Sequence, residues 1–370
     1  MAAPHDRHRT SLEGVIVPEL QPFPREDHEQ SPEAEAVSET DSFLELFFSF
    51  IVSHLDGDSN DAASDLASIL SYLDGFASWT RDDQNTLGES LVRFTEYLVD
   101  NFFLPLKALA AKTPQPTPAS LSRAPLSNSG IGTPQRLSTL RRDCLVRDRH
   151  RCVVTRKFDI QEADRRLSRD GTDFKDDDGA SLLPESDEMT FLEVAHIIPH
   201  SLMSLTSIDG EPQLAEPKLI AHKILTMFNP EAIPLISGSD IDRPKNALTL
   251  TQTLHMLFGK FEIGFEHIGP HTYKIDYIKP DRLLRIAKLP VIRTLYLTPN
   301  RTIEPPSVEL LQIHHAIARI LHLSGAGEYI DRFLRDMEEM EAGPVDANGS
   351  SRIDDYVRFK LWDQFEMSVC

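Results

Sequence analysis

No apolar run among the 370 residues is long enough to cross a bilayer. The most apolar window, Phe43–Val52, is about half of the ~20 residues that a spanning helix needs. Cysteine is scarce. Cys144, Cys152 and Cys370 form no C-x-x-C pair, which argues against a disulfide scaffold and a four-cysteine zinc site. The start, MAAPHDRHRT, lacks the apolar core of a secretory signal. The expectation is an intracellular protein with no membrane role, with nucleus and cytoplasm both open. Positive charge is short as well. Lys and Arg total 38 against 58 Asp and Glu, a net charge of −20. Such a balance argues against a surface that binds nucleic acid over its whole extent.

The deficit is uneven. Residues 1–100 hold 21 acids and 5 bases, whereas 136–157 (RLSTLRRDCLVRDRHRCVVTRK) hold 8 bases and 2 acids. Residues 158–190 turn acidic again. Only the basic island could neutralise several phosphates, through Arg141, Arg142, Arg147, Arg149 and Arg151. The alternative is a solvated helix face followed by a turn.

Composition divides the chain. Residues 1–40 are polar and Pro/Glu-rich, which predicts a disordered acidic N-terminus. Apolar residues then recur at helical spacing in three sets: Phe43 to Leu55, Leu66 to Leu73, and Leu87 to Phe102 after a start near Asp82. They predict a small helical module over 41–111, packing on itself or serving self-association or a protein partner. Residues 112–135 are rich in Pro, Ser and Thr and read as a linker. Beyond it the chain reads as mixed α and β. A helix is expected from about Leu137 to Asp148, then CVVT as a short strand, and 159–189 as an exposed acidic insertion. FLEVAHII is strand-like, Leu219–Met227 a short helix, and 247–258 a helix or turn-plus-helix. FEIGFEHI and HTYKIDYI alternate apolar and polar about Gly269-Pro270 and predict a hairpin. Two amphipathic helices, Leu310–Leu323 and Glu328–Met340, precede a polar tail over 343–370.

Three places in the middle of the chain could carry chemistry: His196 in AHIIPH, Asn246 in RPKNALTL, and His255 in LHMLFGKFE. Phosphodiester hydrolysis needs a base for water, and neutral imidazole has a suitable pKa of ~6.5. It needs a divalent cation to stabilise charge on the phosphate oxygens. It also needs a group that holds the imidazole in one tautomer. His196, His255 and Asn246 match these roles in that order. Each residue alone is more often structural.

The order AHIIP, loop Asn with apolar residues after it, then H-x-x-F, resembles the HNH endonuclease family, in its AHI-P … N-x-L-x-L … H-x-x-F branch. RRDCLVRDRHRCVVTRK looks like the segment that introduces that domain. The resemblance covers roughly 136–278. It implies an α+β protein in which a ββα-metal (HNH) domain with a long insertion occupies 136–290. The resemblance says nothing of the helical module before it or of the C-terminal helices expected over 291–342, which rest on periodicity alone. It further implies His196 as general base and Asn246 as the residue that supports the motif loop and orients that histidine. His255 would bind one divalent ion per site: Mg²⁺, Mn²⁺, Ni²⁺ or Zn²⁺.

The chain departs from the family pattern in two places. Ala195 stands where a metal-binding Asp or His often precedes the catalytic His, and Gly259 where an Asp often follows the Phe. Asn246, His200 or Glu193 would then complete the metal sphere, and Glu193 should share the strand face of Ala195. Two readings follow. One is a metal-dependent endonuclease on DNA, with RNA open. The other is a catalytically inactive HNH-fold module that binds nucleic acid or a protein partner. Asp176-Asp177-Asp178-Gly179 lacks the alternating ligands of a calcium loop and reads as a solvated turn. Cys144 and Cys152 read as buried thiols.

Overall fold

The computed structural model describes residues 46–48, 50–51, 78–110, 134–203, 206–208, 211–213, 216–280 and 285–342. The disorder expected over 1–40, the linker up to residue 133, the helix expected at Leu66–Leu73 and the polar tail at 343–370 lie outside the described residues.

Helix α1 (Arg81–Leu98) begins at a reciprocal cap. Thr80 Oγ1 accepts from the Asp83 N–H at 3.2 Å, and the Asp83 carboxylate accepts from the Thr80 N–H at 2.8 Å. Two donors that a helix start leaves open are thereby satisfied. A π turn (Val99–Phe103) leads into α2 (Leu104–Ala110). Phe102, Phe103 and Leu106 are buried in one core with Leu225, Leu257 and Ile317. Lys107 enters with them; its Nζ donates to Gly327 O at 3.0 Å and pairs with Asp331 at 2.7 Å. The end of the helical module thus packs into the domain that follows. Its aromatic residues there are not available for self-association.

After α3 (Pro134–Arg147) and α4 (Ile160–Asp170) comes strand β1 (Leu192–His196). A small pair, β2 (Thr206–Ile208) with β3 (Glu211–Gln213), and helices α5 (Glu216–Phe228) and α6 (Ala232–Ile236) follow. Two 3₁₀ turns, Gly238–Asp242 and Pro244–Asn246, lead into β4 (Ala247–Thr251). β4 returns antiparallel to β1, with Leu192 opposite Thr251 and His196 opposite Ala247. Helix α7 (Gln252–Gly259) starts at once, its first turn capped by Thr251 Oγ1 accepting from the Leu254 N–H. β5 (Ile263–Gly269), β6 (Thr272–Tyr277) and β7 (Val291–Thr294) form a three-stranded antiparallel sheet. α8 (Val308–Leu323) and α9 (Ala326–Ala342) complete the described chain. The architecture is α+β: helices with small antiparallel sheets. A Cβ at Gly264 would collide with the His315 ring, so the bare backbone there is what lets α8 lie against β5.

Three local expectations change. CVVT is a turn rather than a strand. Cys152, Val153 and Val154 are apolar because they are buried, and Arg156, at φ 66°, closes the turn by donating its N–H to Cys152 O at 2.9 Å. Residues 247–251 are a strand before the helix; a five-residue apolar run does not distinguish the two by period. The acidic stretch 159–189 is not merely an exposed insertion. Phe158, Ala163, Phe174 and Leu182 form a small core of their own there.

Candidate active site

β1, β4 and α7 bring the motif residues together in two pairs. His255 sits in the middle of α7, and its Nδ1 lies 2.8 Å from Glu193 Oε2. An ionised carboxylate only accepts, so Nδ1 carries the proton and Nε2 the lone pair. Glu193 and Ala195 share one face of β1 by the two-residue period, and α7 packs over that unit. The alternation predicted for Glu193 therefore brings its carboxylate to His255.

His196 closes β1, and its Nε2 lies 3.2 Å from Asp242 Oδ1. Both side chains are interior, 2% and 0% exposed. His196 Nδ1 is buried with no hydrogen-bond partner among the described residues. The His200 ring is 5.6 Å away, centroid to centroid. Burial first, and then His196 beside it, push the His200 imidazole down to about 4, so it is neutral at pH 7.

Asn246 does not touch the His196 ring. Its Oδ1 accepts from the Ile198 N–H at 2.9 Å, and its Nδ2 donates to Ile198 O at 2.9 Å and Ile241 O at 3.0 Å. Its backbone carbonyl accepts from the Ile197 N–H at 2.8 Å. One buried amide thus ties the chain after His196 to the chain before Asp242. An isolated amide in such a place would be costly; a satisfied one defines the loop. Asp242 is the residue that sequence reasoning missed. In IDRPKN it looks like an ordinary turn aspartate, and only the return of the chain to β1 sets it against the imidazole.

The basic island divides sharply. Arg147 is fully buried, 0% exposed, against Asp148, also 0%. Its guanidinium donates to Pro244 O at 2.7 Å, Ala247 O at 2.9 Å and Glu304 O at 3.3 Å. Burial alone would favour the neutral form, but the Asp148 carboxylate holds it charged. Arg147 is therefore corrected from phosphate contact to internal brace. Arg151 is mostly covered; it pairs with Asp176 at 2.9 Å and Glu185 at 2.7 Å. Arg141 donates to Leu192 O at 2.8 Å and so braces β1. Arg142, 70% exposed, and Arg149, which pairs with Asp178 at 2.6 Å, face outward. The Asp176–Gly179 turn serves these arginines: Asp177 pairs with Arg166, and Asp176 accepts from the N–H groups of Asp178 and Ala180. Cys144 and Cys152 are free and buried, and burial pushes the Cys144 thiol up to about 12.

Among the described residues no group of three His, Cys, Asp or Glu side chains is placed to hold a metal ion. The donor free beside α7 is His255 Nε2. Divalent cations that act on phosphates commonly keep several waters and take one or two protein ligands plus phosphate oxygens, and a single histidine is compatible with that pattern. A metal-bound histidine is usually held by a carboxylate on its other nitrogen, as His255 is by Glu193. No described helix is long and apolar enough to cross a membrane.

Residues 152–266 match the family model described as HNH endonuclease. The match spans β1, Asn246, β4 and α7, the elements on which the motif resemblance rests, and supports the HNH resemblance of this segment. No curated protein and no solved structure matches the chain. A nuclease-type, nucleic-acid-related role is what the family implies.

Proposed function

We propose that the chain is an HNH-type, metal-dependent endonuclease acting on DNA, with β1, β4 and α7 as its ββα-metal unit and 201–240 as the long insertion. The observation that carries this reading is the pairing of each motif imidazole with a carboxylate around one two-stranded unit: His196 with Asp242, and His255 with Glu193. Structural histidines need no such partner, whereas a base and a metal ligand both gain from one. His196 takes the proton from the attacking water. Asn246 holds the loop that follows His196. His255, through Nε2, would hold the divalent ion, with Glu193 fixing its ring from Nδ1; the ion, when bound, supplies charge stabilisation to the phosphate oxygens. Arg142 and Arg149 contact the phosphate backbone without reading sequence. Arg141 and Arg151 act from behind, fixing β1 and the 149–157 turn.

A second reading, an inactive HNH-fold module that binds nucleic acid or a protein, is favoured by one observation. Among the described residues no three His, Cys, Asp or Glu side chains come together to hold a metal. Two measurements on the full chain separate the readings. Plasmid nicking is followed with Mg²⁺, Mn²⁺, Ni²⁺ or Zn²⁺ and with EDTA, and Mn²⁺ binding is followed by calorimetry on the chain and on His255→Ala. Metal-dependent nicking, with binding weakened in His255→Ala, supports the nuclease. Folded protein that binds DNA yet neither nicks nor takes up any of these metals supports the binding module.

A further inference from the structure

We infer that Asp242 is the positioning residue that fixes His196 in the Nε2–H tautomer, leaving Nδ1 as its proton-accepting atom. The inference deepens the reading of His196 as a base and rests on it. Asp242 Oδ1 lies 3.2 Å from His196 Nε2 inside the protein. A carboxylate accepts, so Nε2 is the nitrogen that bears hydrogen. The same choice leaves Nδ1 a bare acceptor, and Nδ1 is buried without a partner. Among the described residues Nδ1 of His150, His271, His314 and His315 is unpartnered as well, but of the five only His196 has its other ring nitrogen against a carboxylate. That carboxylate fixes the His196 lone pair on Nδ1, the atom left to take a proton from an incoming water. In the imidazolium form the same atom would be a buried N–H with nothing to accept it.

The surroundings agree. The His200 ring lies 5.6 Å from the His196 ring, centroid to centroid. Arg136 Nε approaches the other Asp242 oxygen at 3.8 Å. Lys218, buried on α5, is a positive neighbour of His200. Asp242 is also held in place from its own side. It ends the turn Gly238–Asp242, and Asn246 grips the preceding carbonyl, Ile241 O, with the same amide that grips Ile198. The long connection between β1 and β4 therefore delivers the partner of the base.

The test uses the full chain labelled with ¹⁵N-histidine. Long-range ¹H–¹⁵N spectra report which ring nitrogen is protonated, and His196 is assigned by its loss in His196→Gln. The expected result at neutral pH is a protonated Nε2 and an unprotonated Nδ1. In Asp242→Asn the amide can donate to Nε2, so the ring should turn to the Nδ1–H form. Metal-dependent nicking should then fall by roughly 10³–10⁴-fold, as for other catalytic histidines given the wrong tautomer. An Nδ1–H or doubly protonated ring in the wild type would overturn the inference. So would an unchanged ring in folded Asp242→Asn. If that variant does not fold, the wild-type spectrum decides alone. An Nε2–H ring in a chain that nicks with no metal sinks the nuclease reading and leaves the tautomer-setting role of Asp242 standing.

Discussion

Two pairs of histidines in this molecule have opposite surroundings. His196 and His255, on β1 and α7, each face a carboxylate across a single hydrogen bond. His314 and His315, on α8, face none among their hydrogen-bond partners. The His314 ring stacks on Phe258 at 3.8 Å and Phe261 at 4.5 Å, and its Nε2 donates to Phe258 O at 3.1 Å. Burial pushes the His314 imidazole down to about 3, so it stays neutral and behaves as a flat apolar ring. Both pairs are largely buried, so burial does not tell them apart. The partner does: a carboxylate sets a tautomer, while two phenyl faces only need the ring's shape.

The comparison breaks first on activity. His196→Ala, read in protein shown to be folded, should lower metal-dependent cleavage by about 10²–10⁴-fold, by the usual worth of a general base. The next effect lies in the brace of β4. Arg147→Ala leaves Asp148 buried and unpaired and should cost roughly 3–5 kcal/mol in urea denaturation. His314→Ala should destabilise by about 2–4 kcal/mol through the cavity between the two phenyl rings. In protein still folded, it should leave the pH dependence of cleavage untouched.

Acid should act through the neutral histidines. His314, held at about 3, and His200, held at about 4, both lie below the ordinary value of 6.5. Between those values and 6.5 the unfolded chain binds more protons than the folded one. Stability should therefore fall as pH drops through about 6.5 and level off below about 3 for these groups. Denaturation midpoints across that range check the sign, and His314→Phe should flatten the slope. The smallest effect concerns the outward arginines. Arg142→Ala and Arg149→Ala should each lower the salt slope of DNA binding by about 1 in fluorescence anisotropy.

Much of the site was legible because its residues follow local rules. His196 and Asn246 stand at strand and loop ends that their flanks announce. Glu193 reaches His255 from the face that the two-residue strand period predicts. Asp242 was not legible, since its partner is 46 residues away in sequence and only the folded return of the chain joins them. Nor was the fate of the basic island. Arg147-Asp148 and the arginines around it look alike as a string of charges. One of them nevertheless lies at the centre of the domain, holding three carbonyls, while Arg142 projects into solvent. Charge runs describe composition; which members turn inward depends on the carbonyls that the rest of the fold leaves open. The hairpin β5–β6 and the helices α8 and α9 were read correctly, because their periodicities are long. The turn at CVVT and the strand β4 were not, because a four- or five-residue apolar run carries no period.

The most direct measurement is nicking of supercoiled plasmid by the full chain in Mn²⁺, run beside His196→Ala and an EDTA control. Nicking that needs the metal and vanishes in folded His196→Ala is the predicted result. Equal nicking by both proteins, or none by either, would contradict the assignment of His196 as the base.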